Sequence, residues 1–125
     1  MTSGKTVLLV DDEAGGLDAR RNVLESLGYD VLIADCAYQA FALFSHRDVD
    51  LAVLDYYLPD TDGGMLAIAM RMVKPRVPLI LFSTSLTVPA EAMSAVDAFV
   101  AKGESPLNLV QTISTVLGSG TANPA

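Results

Sequence analysis

A chain of 125 residues with 51% hydrophobic side chains can fill one real core, which argues against a disordered chain. Its net charge of −7 argues against direct nucleic-acid contact, which usually wants a basic face, and suits a pocket for a divalent metal. No apolar stretch approaches the roughly 20 residues of a membrane helix. The start Met1-Thr2-Ser3-Gly4-Lys5 lacks an apolar signal core, and the lone Cys36 has no internal partner, so a cytoplasmic protein without membrane insertion is expected.

In chain order, short apolar runs alternate with helix-period segments. Thr6–Val10 reads as a buried strand that stops at Asp11 and Asp12. Leu17, Arg20/Arg21, Leu24 and Leu27 recur at helical spacing, with Gly28 as the stop. Asp30–Ala34 is a second strand, the least continuous in its apolar run and therefore expected at an edge. Ala37, Ala40, Phe41 and Phe44 make the next helical stripe. Leu51–Leu54 is a third strand, stopping at Asp55. Met65, Ile68, Ala69 and Met72 suggest the buried stripe of a third helix, ended before Pro75. Strand four, Leu79–Phe82, runs into Ser83 and Thr84. Ala90–Ala95 allows a short helix, and strand five, Ala98–Ala101, stops at Lys102. Ser105 and Pro106 open a last helix through Leu109, Val110, Ile113, Val116 and Leu117, with Gly118 as its end and residues 119–125 as a frayed tail.

Five strand–helix units call for a doubly wound α/β sheet, parallel and covered by helices on both faces, in one domain with a core over residues 5–118. In such sheets ligands bind at the carboxyl ends of the strands. Asp11, Asp12, Asp55, Ser83 or Thr84, and Lys102 all fall there. Close carboxylates repel by about 4 kcal/mol per pair at an intermediate dielectric, so the cluster calls for a hard cation such as Mg²⁺. Polar residues also cap strands routinely. Five of them at corresponding ends are harder to dismiss than any one.

Other motifs carry less. Gly4-Lys5-Thr6 resembles the end of a phosphate-binding loop but precedes its strand. Asp60-Thr61-Asp62-Gly63 resembles the nucleophile motif of haloacid-dehalogenase-type phosphatases but does not directly close a strand. His46 reads as a solvated helix-end residue and Cys36 as an inert small one.

The chain resembles a receiver domain of two-component response regulators. The resemblance rests on Val10-Asp11-Asp12-Glu13, on Asp55 followed by Pro59 and Gly63, on Ser83 and on Lys102, in matching order and approximate spacing. It implies a flavodoxin-like fold with strand order 2-1-3-4-5. It also implies a phosphoacceptor, Asp55, fed by a histidine kinase or a histidine phosphotransfer protein. Asp12, Asp55 and the Tyr57 backbone carbonyl would bind Mg²⁺ or Mn²⁺ directly, and Asp11 through a water. Lys102 would pair with Asp55 and then with the phosphoryl oxygens, and the Ser83 hydroxyl would donate to one of them. Phe99 holds the family's aromatic switch position, or is a plain core aromatic. Tyr57 and Ser85 flank the path of the hydrolytic water, where a phenol and a short hydroxyl imply slow loss of the phosphoryl group.

No enzyme activity on other substrates is implied, and output would pass to a downstream protein. The alternatives are a phosphorylation-independent interaction module of the same fold and a metal-dependent phosphatase. The chain departs from the family in three places. Gly103 stands where Pro in a cis peptide is usual, Thr84 where a smaller residue is common, and the Ser83–Lys102 interval is short, which alters the helix-four face.

Overall fold

The computed structural model describes residues 4–84, 88–103 and 105–121. Five parallel strands form one sheet in the order β2-β1-β3-β4-β5. They are β1 (Thr6–Val10), β2 (Asp30–Ala34), β3 (Leu51–Leu54), β4 (Leu79–Ser83) and β5 (Ala98–Ala101). The central strands β1 and β3 are almost wholly buried, as near-continuous apolar runs require. β2 lies at an edge, as its weaker pattern implied. β4 runs one residue past Phe82, because Ser83 pairs with Ala101 and its carbonyl accepts the Lys102 N–H at 2.9 Å.

The helices are α1 (Ala14–Ser26), α2 (Ala37–His46), α3 (Gly63–Val73), α4 (Ala90–Ser94) and α5 (Pro106–Thr121). Strand alternation divides the core in two. Val7, Leu9, Leu51, Val53 and Ile80 meet Leu17 and Leu24 of α1 and Leu109 and Ile113 of α5. Leu8, Val10, Leu54, Leu79 and Leu81 meet Phe44 of α2, Leu66 and Met70 of α3 and Ala92 of α4. No described helix is long and apolar enough to cross a membrane.

Two expectations are corrected. The buried face of α3 carries Gly63, Gly64, Leu66, Ala67 and Met70, while Met65, Ile68 and Met72 are exposed. The helix is apolar on several sides, so its period alone does not choose the inward stripe. At the other end of the chain, α5 continues through Gly118 to Thr121. Gly28, by contrast, does terminate α1, with φ of 97° and its N–H donating to the Glu25 carbonyl at 3.0 Å.

The short α4 is fastened from its neighbours. Arg71 on α3 donates to the Ala95 carbonyl at 3.0 Å and to the Asp97 carboxylate at 2.9 Å, and Asp97 also accepts the Leu79 N–H at 2.8 Å. Gly64 lets α4 close in: a Cβ there would lie 2.7 Å from the Ala92 Cβ.

Candidate functional site

The parallel register puts the ends of β1, β3 and β5 at one edge of the sheet. The Asp11 N–H donates to the Ala34 carbonyl at 3.1 Å, and the Asp55 N–H to the Val10 carbonyl at 3.0 Å. The two aspartates therefore leave neighbouring strands side by side. Both are buried, whereas Asp12 is exposed at the rim. Carboxylate oxygens of Asp11, Asp12 and Asp55 all lie within 4.8 Å of one another.

Lys102 reaches this cluster from the end of β5. Its Nζ donates to Asp11 Oδ2 at 2.5 Å and to Asp55 Oδ2 at 3.1 Å. Gly103 turns the chain just beyond it with φ of 91°, and no cis peptide occurs among the described residues. Glycine adopts that left-handed backbone without the steric cost a Cβ would carry.

The two buried aspartates differ electrostatically. Burial pushes the Asp11 carboxyl up, but the Lys102 hydrogen bond, the Glu13 N–H at 3.0 Å on Oδ1 and the charges of Lys102 and Arg20 outweigh it and hold the group below its usual range. Burial also dominates at Asp55. There the Lys102 hydrogen bond and charge do not offset it, the Asp11 charge adds to it, and the carboxyl sits above its usual range. A Tyr57 N–H donates to Asp55 Oδ1 at 3.3 Å.

Arg20 was not among the residues expected here. It extends from α1 and places Nη2 2.7 Å from Asp11 Oδ2. The signal in the sequence was a basic residue on the Leu17–Leu24 stripe, which faces the sheet. With Lys102 it offsets the carboxylate repulsion from within the chain.

Ser83 is fully buried at the end of β4, beside the strand that leads to Lys102, and Thr84 is exposed. Phe99 is half-buried on β5, opposite Leu81, and packs on the α2–α3–α4 side of the core. Tyr57 is 56% exposed, and its ring stands edge-on to that of Tyr56 with centroids 5.0 Å apart. Ser85 lies outside the described residues. In the phosphatase-like motif both carboxylates are engaged as caps. Asp60 accepts the Ala37 and Tyr38 N–H groups that open α2, at 2.8 and 2.9 Å, and Asp62 accepts the Met65 N–H of α3 at 2.9 Å. Gly63 brings α3 against the Asp55 backbone, with its N–H 2.7 Å from the Tyr56 carbonyl.

The family model described as "Response regulator receiver domain" matches residues 7–114. The phosphate regulon transcriptional regulatory protein PhoB of Pseudomonas aeruginosa is 33% identical over 121 residues, which is 91% of this chain and 52% of PhoB. The chain thus spans about half of that relative's length. A CheY-like receiver domain from Methanospirillum hungatei superposes with a TM-score of 0.86 at 29% identity, covering 94% of this chain and 96% of that one. The receiver domain of the sensor histidine kinase PA1611 of Pseudomonas aeruginosa superposes at 0.84 with 26% identity, covering 93% and 99%. That structure holds a magnesium ion in its active-site cleft.

Proposed function

The chain belongs to the response regulator receiver domain family, and from that membership we propose that Asp55 is its phosphoacceptor in a two-component system or phosphorelay. The observation that carries the assignment is the Lys102 ammonium bridging Asp11 and Asp55, with a third carboxylate beside them. An Asp55 oxygen attacks the phosphorus of a phosphohistidine on a histidine kinase or phosphotransfer protein. The O–P bond forms as the P–N bond breaks, and the electron pair returns to the imidazole. A carboxylate is a modest nucleophile, so positioning and charge neutralisation supply most of the rate.

Three carboxylates with hard oxygen donors at this separation suit a small divalent cation, Mg²⁺ or Mn²⁺. Asp12, Asp55 and the Tyr57 carbonyl would hold it, with Asp11 acting through water. When bound it neutralises charge on the transferring group. Lys102 is already within reach of the Asp55 oxygens and follows the charge onto the phosphoryl group. Ser83 supplies a hydroxyl at the neighbouring strand end for a phosphoryl oxygen, and Phe99 on β5 would serve as the aromatic switch if it is more than a core aromatic. The domain works as one receiver unit in the cytoplasm, turns over no substrate but its own phosphate, and passes its state to a downstream protein. The short α4 alters the α4–β5–α5 surface through which that passage is expected. The phosphorylation-independent alternative gains no support from the comparisons.

Intact mass after incubation with acetyl phosphate and Mg²⁺ tests the assignment. One added phosphate is expected, labile as an acyl phosphate, absent in Asp55→Asn and sharply reduced by EDTA. Undiminished labelling of Asp55→Asn would sink it.

A further inference from the structure

Arg20 occupies a position on α1 where an apolar side chain would serve the core. Leu17 and Leu24, on the same stripe, are both buried. The guanidinium instead turns toward the strand ends and pairs with Asp11 Oδ2 at 2.7 Å, the same oxygen that accepts from Lys102. Its Cζ lies 5.0 Å from the Phe82 ring centroid, and Lys102 Nζ lies 5.5 Å from that ring. Gly16, one turn earlier, leaves room for the guanidinium: a Cβ there would fall 2.9 Å from Nη1 and 3.3 Å from Nη2. The arginine is thus housed, with a pairing partner, an aromatic face and a gap in the helix surface. Its side chain is 21% exposed and that of Asp11 3%, so the pair is shielded from the full screening of water.

We propose that Arg20 is a built-in counter-ion of the acidic pocket, which weakens binding of the divalent cation by holding Asp11 neutralised. The proposal rests on the reading that the cation binds at Asp11, Asp12 and Asp55. Without Arg20 the three carboxylates would face one internal cation, Lys102. With it they face two, and the pocket's net charge falls from −2 to −1. An incoming divalent ion meets that smaller attraction and a fixed positive group one side chain away. Arg20 also decides what happens when Lys102 leaves for a phosphoryl group on Asp55. Asp11 then keeps a partner and is not stranded as a buried, unpaired charge. Arg20 touches no transferring atom and acts through Asp11, so it is a positioning residue.

Calorimetric titration of Mg²⁺ into the metal-free protein, at fixed ionic strength and neutral pH, tests this. Arg20→Gln and Arg20→Met both remove the charge, and the Met variant keeps an unbranched apolar stem against Phe82. Each is expected to bind Mg²⁺ about tenfold more tightly than the wild type, the scale of a neighbouring unit charge in a half-hydrated site. Arg20→Lys retains the charge and is expected to keep the wild-type affinity. Unchanged or weaker binding in both neutral variants overturns the proposal. So does Arg20→Lys behaving like them, since shape and not charge would then be responsible. Asp12→Ala separates this failure from that of the metal reading. If Asp12→Ala loses Mg²⁺ while Arg20→Gln binds as the wild type, the role of Arg20 alone is wrong. If Asp12→Ala binds Mg²⁺ undiminished, the metal site itself is misassigned and the proposal falls with it.

Discussion

Gly63 and Gly15 both sit in the first turn of a helix, yet the same substitution should act on them with opposite signs. Alanine is favoured over glycine in a helix by about 0.5–1 kcal/mol. At Gly15 a Cβ meets nothing within 4 Å, so Gly15→Ala should realise that gain. At Gly63 a Cβ would lie 2.2 Å from the Asp55 carbonyl oxygen and 3.0 Å from the Asp55 carbonyl carbon and the Tyr56 Cα. A carbon rests about 3.3 Å or more from a carbonyl oxygen, so α3 and the end of β3 must separate by about 1 Å. The obstacle is backbone on both sides and cannot turn away as a side chain would. Overpacking of this kind costs about 1–3 kcal/mol, and the helical gain offsets only part of it. Gly63→Ala should therefore lose about 1–2 kcal/mol in urea unfolding at an unchanged m-value. The displaced backbone is that of Asp55 itself, and a misplacement of about 1 Å costs up to about 100-fold in rate. Labelling by acetyl phosphate should slow on that scale, while Gly15→Ala labels normally. A Gly63→Ala protein as stable and as quickly labelled as the wild type would refute the reasoning.

The remaining predictions concern charge and lifetime. In EDTA, Asp55→Asn should be more stable than the wild type at pH 7, because the folded carboxyl is raised above its ordinary value and its ionised form is disfavoured; the advantage should vanish as the pH falls below the ordinary 3.8. Asp11→Asn should be less stable at pH 7, because the depressed Asp11 carboxyl contributes stability above its ordinary range that is lost as the pH falls through its folded value; urea unfolding across pH 2–8 reads both. Mg²⁺ at ten times its Kd should add about 1.4 kcal/mol, or about 5 °C in Tm for a chain of this size; scanning calorimetry of Asp12→Ala should show most of that shift gone. Phospho-Asp55 should decay slowly, and Tyr57→Asn combined with Ser85→Glu should speed its loss by several-fold to about 10²-fold; mass spectra over time would count against shielding by Tyr57 if the rates match.

The strands were legible because four of them are nearly unbroken apolar runs, and all are followed by a charge or a hydroxyl. The topology followed from their alternation with helical segments. The face of α3 was not legible. Met65, Ile68 and Met72 repeat at helical spacing as well as Leu66, Ala67 and Met70 do, and the choice between them shows only in tertiary contacts such as Gly63 against the Asp55 backbone and Gly64 against Ala92. The end of α5 misled for a related reason: a glycine stops a helix when its backbone turns left-handed, as at Gly28, and Gly118 remains helical. In the sequence Arg20 is one tooth of a helical pattern shared with Leu17 and Leu24. Its partner lies on the preceding strand, across a loop whose closure the sequence does not state. The same holds for Asp60, whose cap for α2 joins segments distant along the chain.

The distinction between the two buried aspartates can be drawn from hydrogen bonding, independently of any relative. Both accept from Lys102, but Asp11 does so at 2.5 Å and Asp55 at 3.1 Å. Asp11 has in addition Arg20 at 2.7 Å and the Glu13 N–H at 3.0 Å, whereas Asp55 has the Tyr57 N–H at 3.3 Å. A carboxylate held by three close donors has little electron density to spare and little freedom to change partners. One held by two longer bonds has more of both, and burial, with the Asp11 charge beside it, holds its carboxyl above the usual range. Of two aspartates sharing one lysine, the loosely held one suits the making of a bond and the tightly held one suits a fixed counter-charge. This contrast in hydrogen bonding supports the proposed choice of Asp55 as nucleophile, and Arg20 is part of what sets Asp11 apart from it.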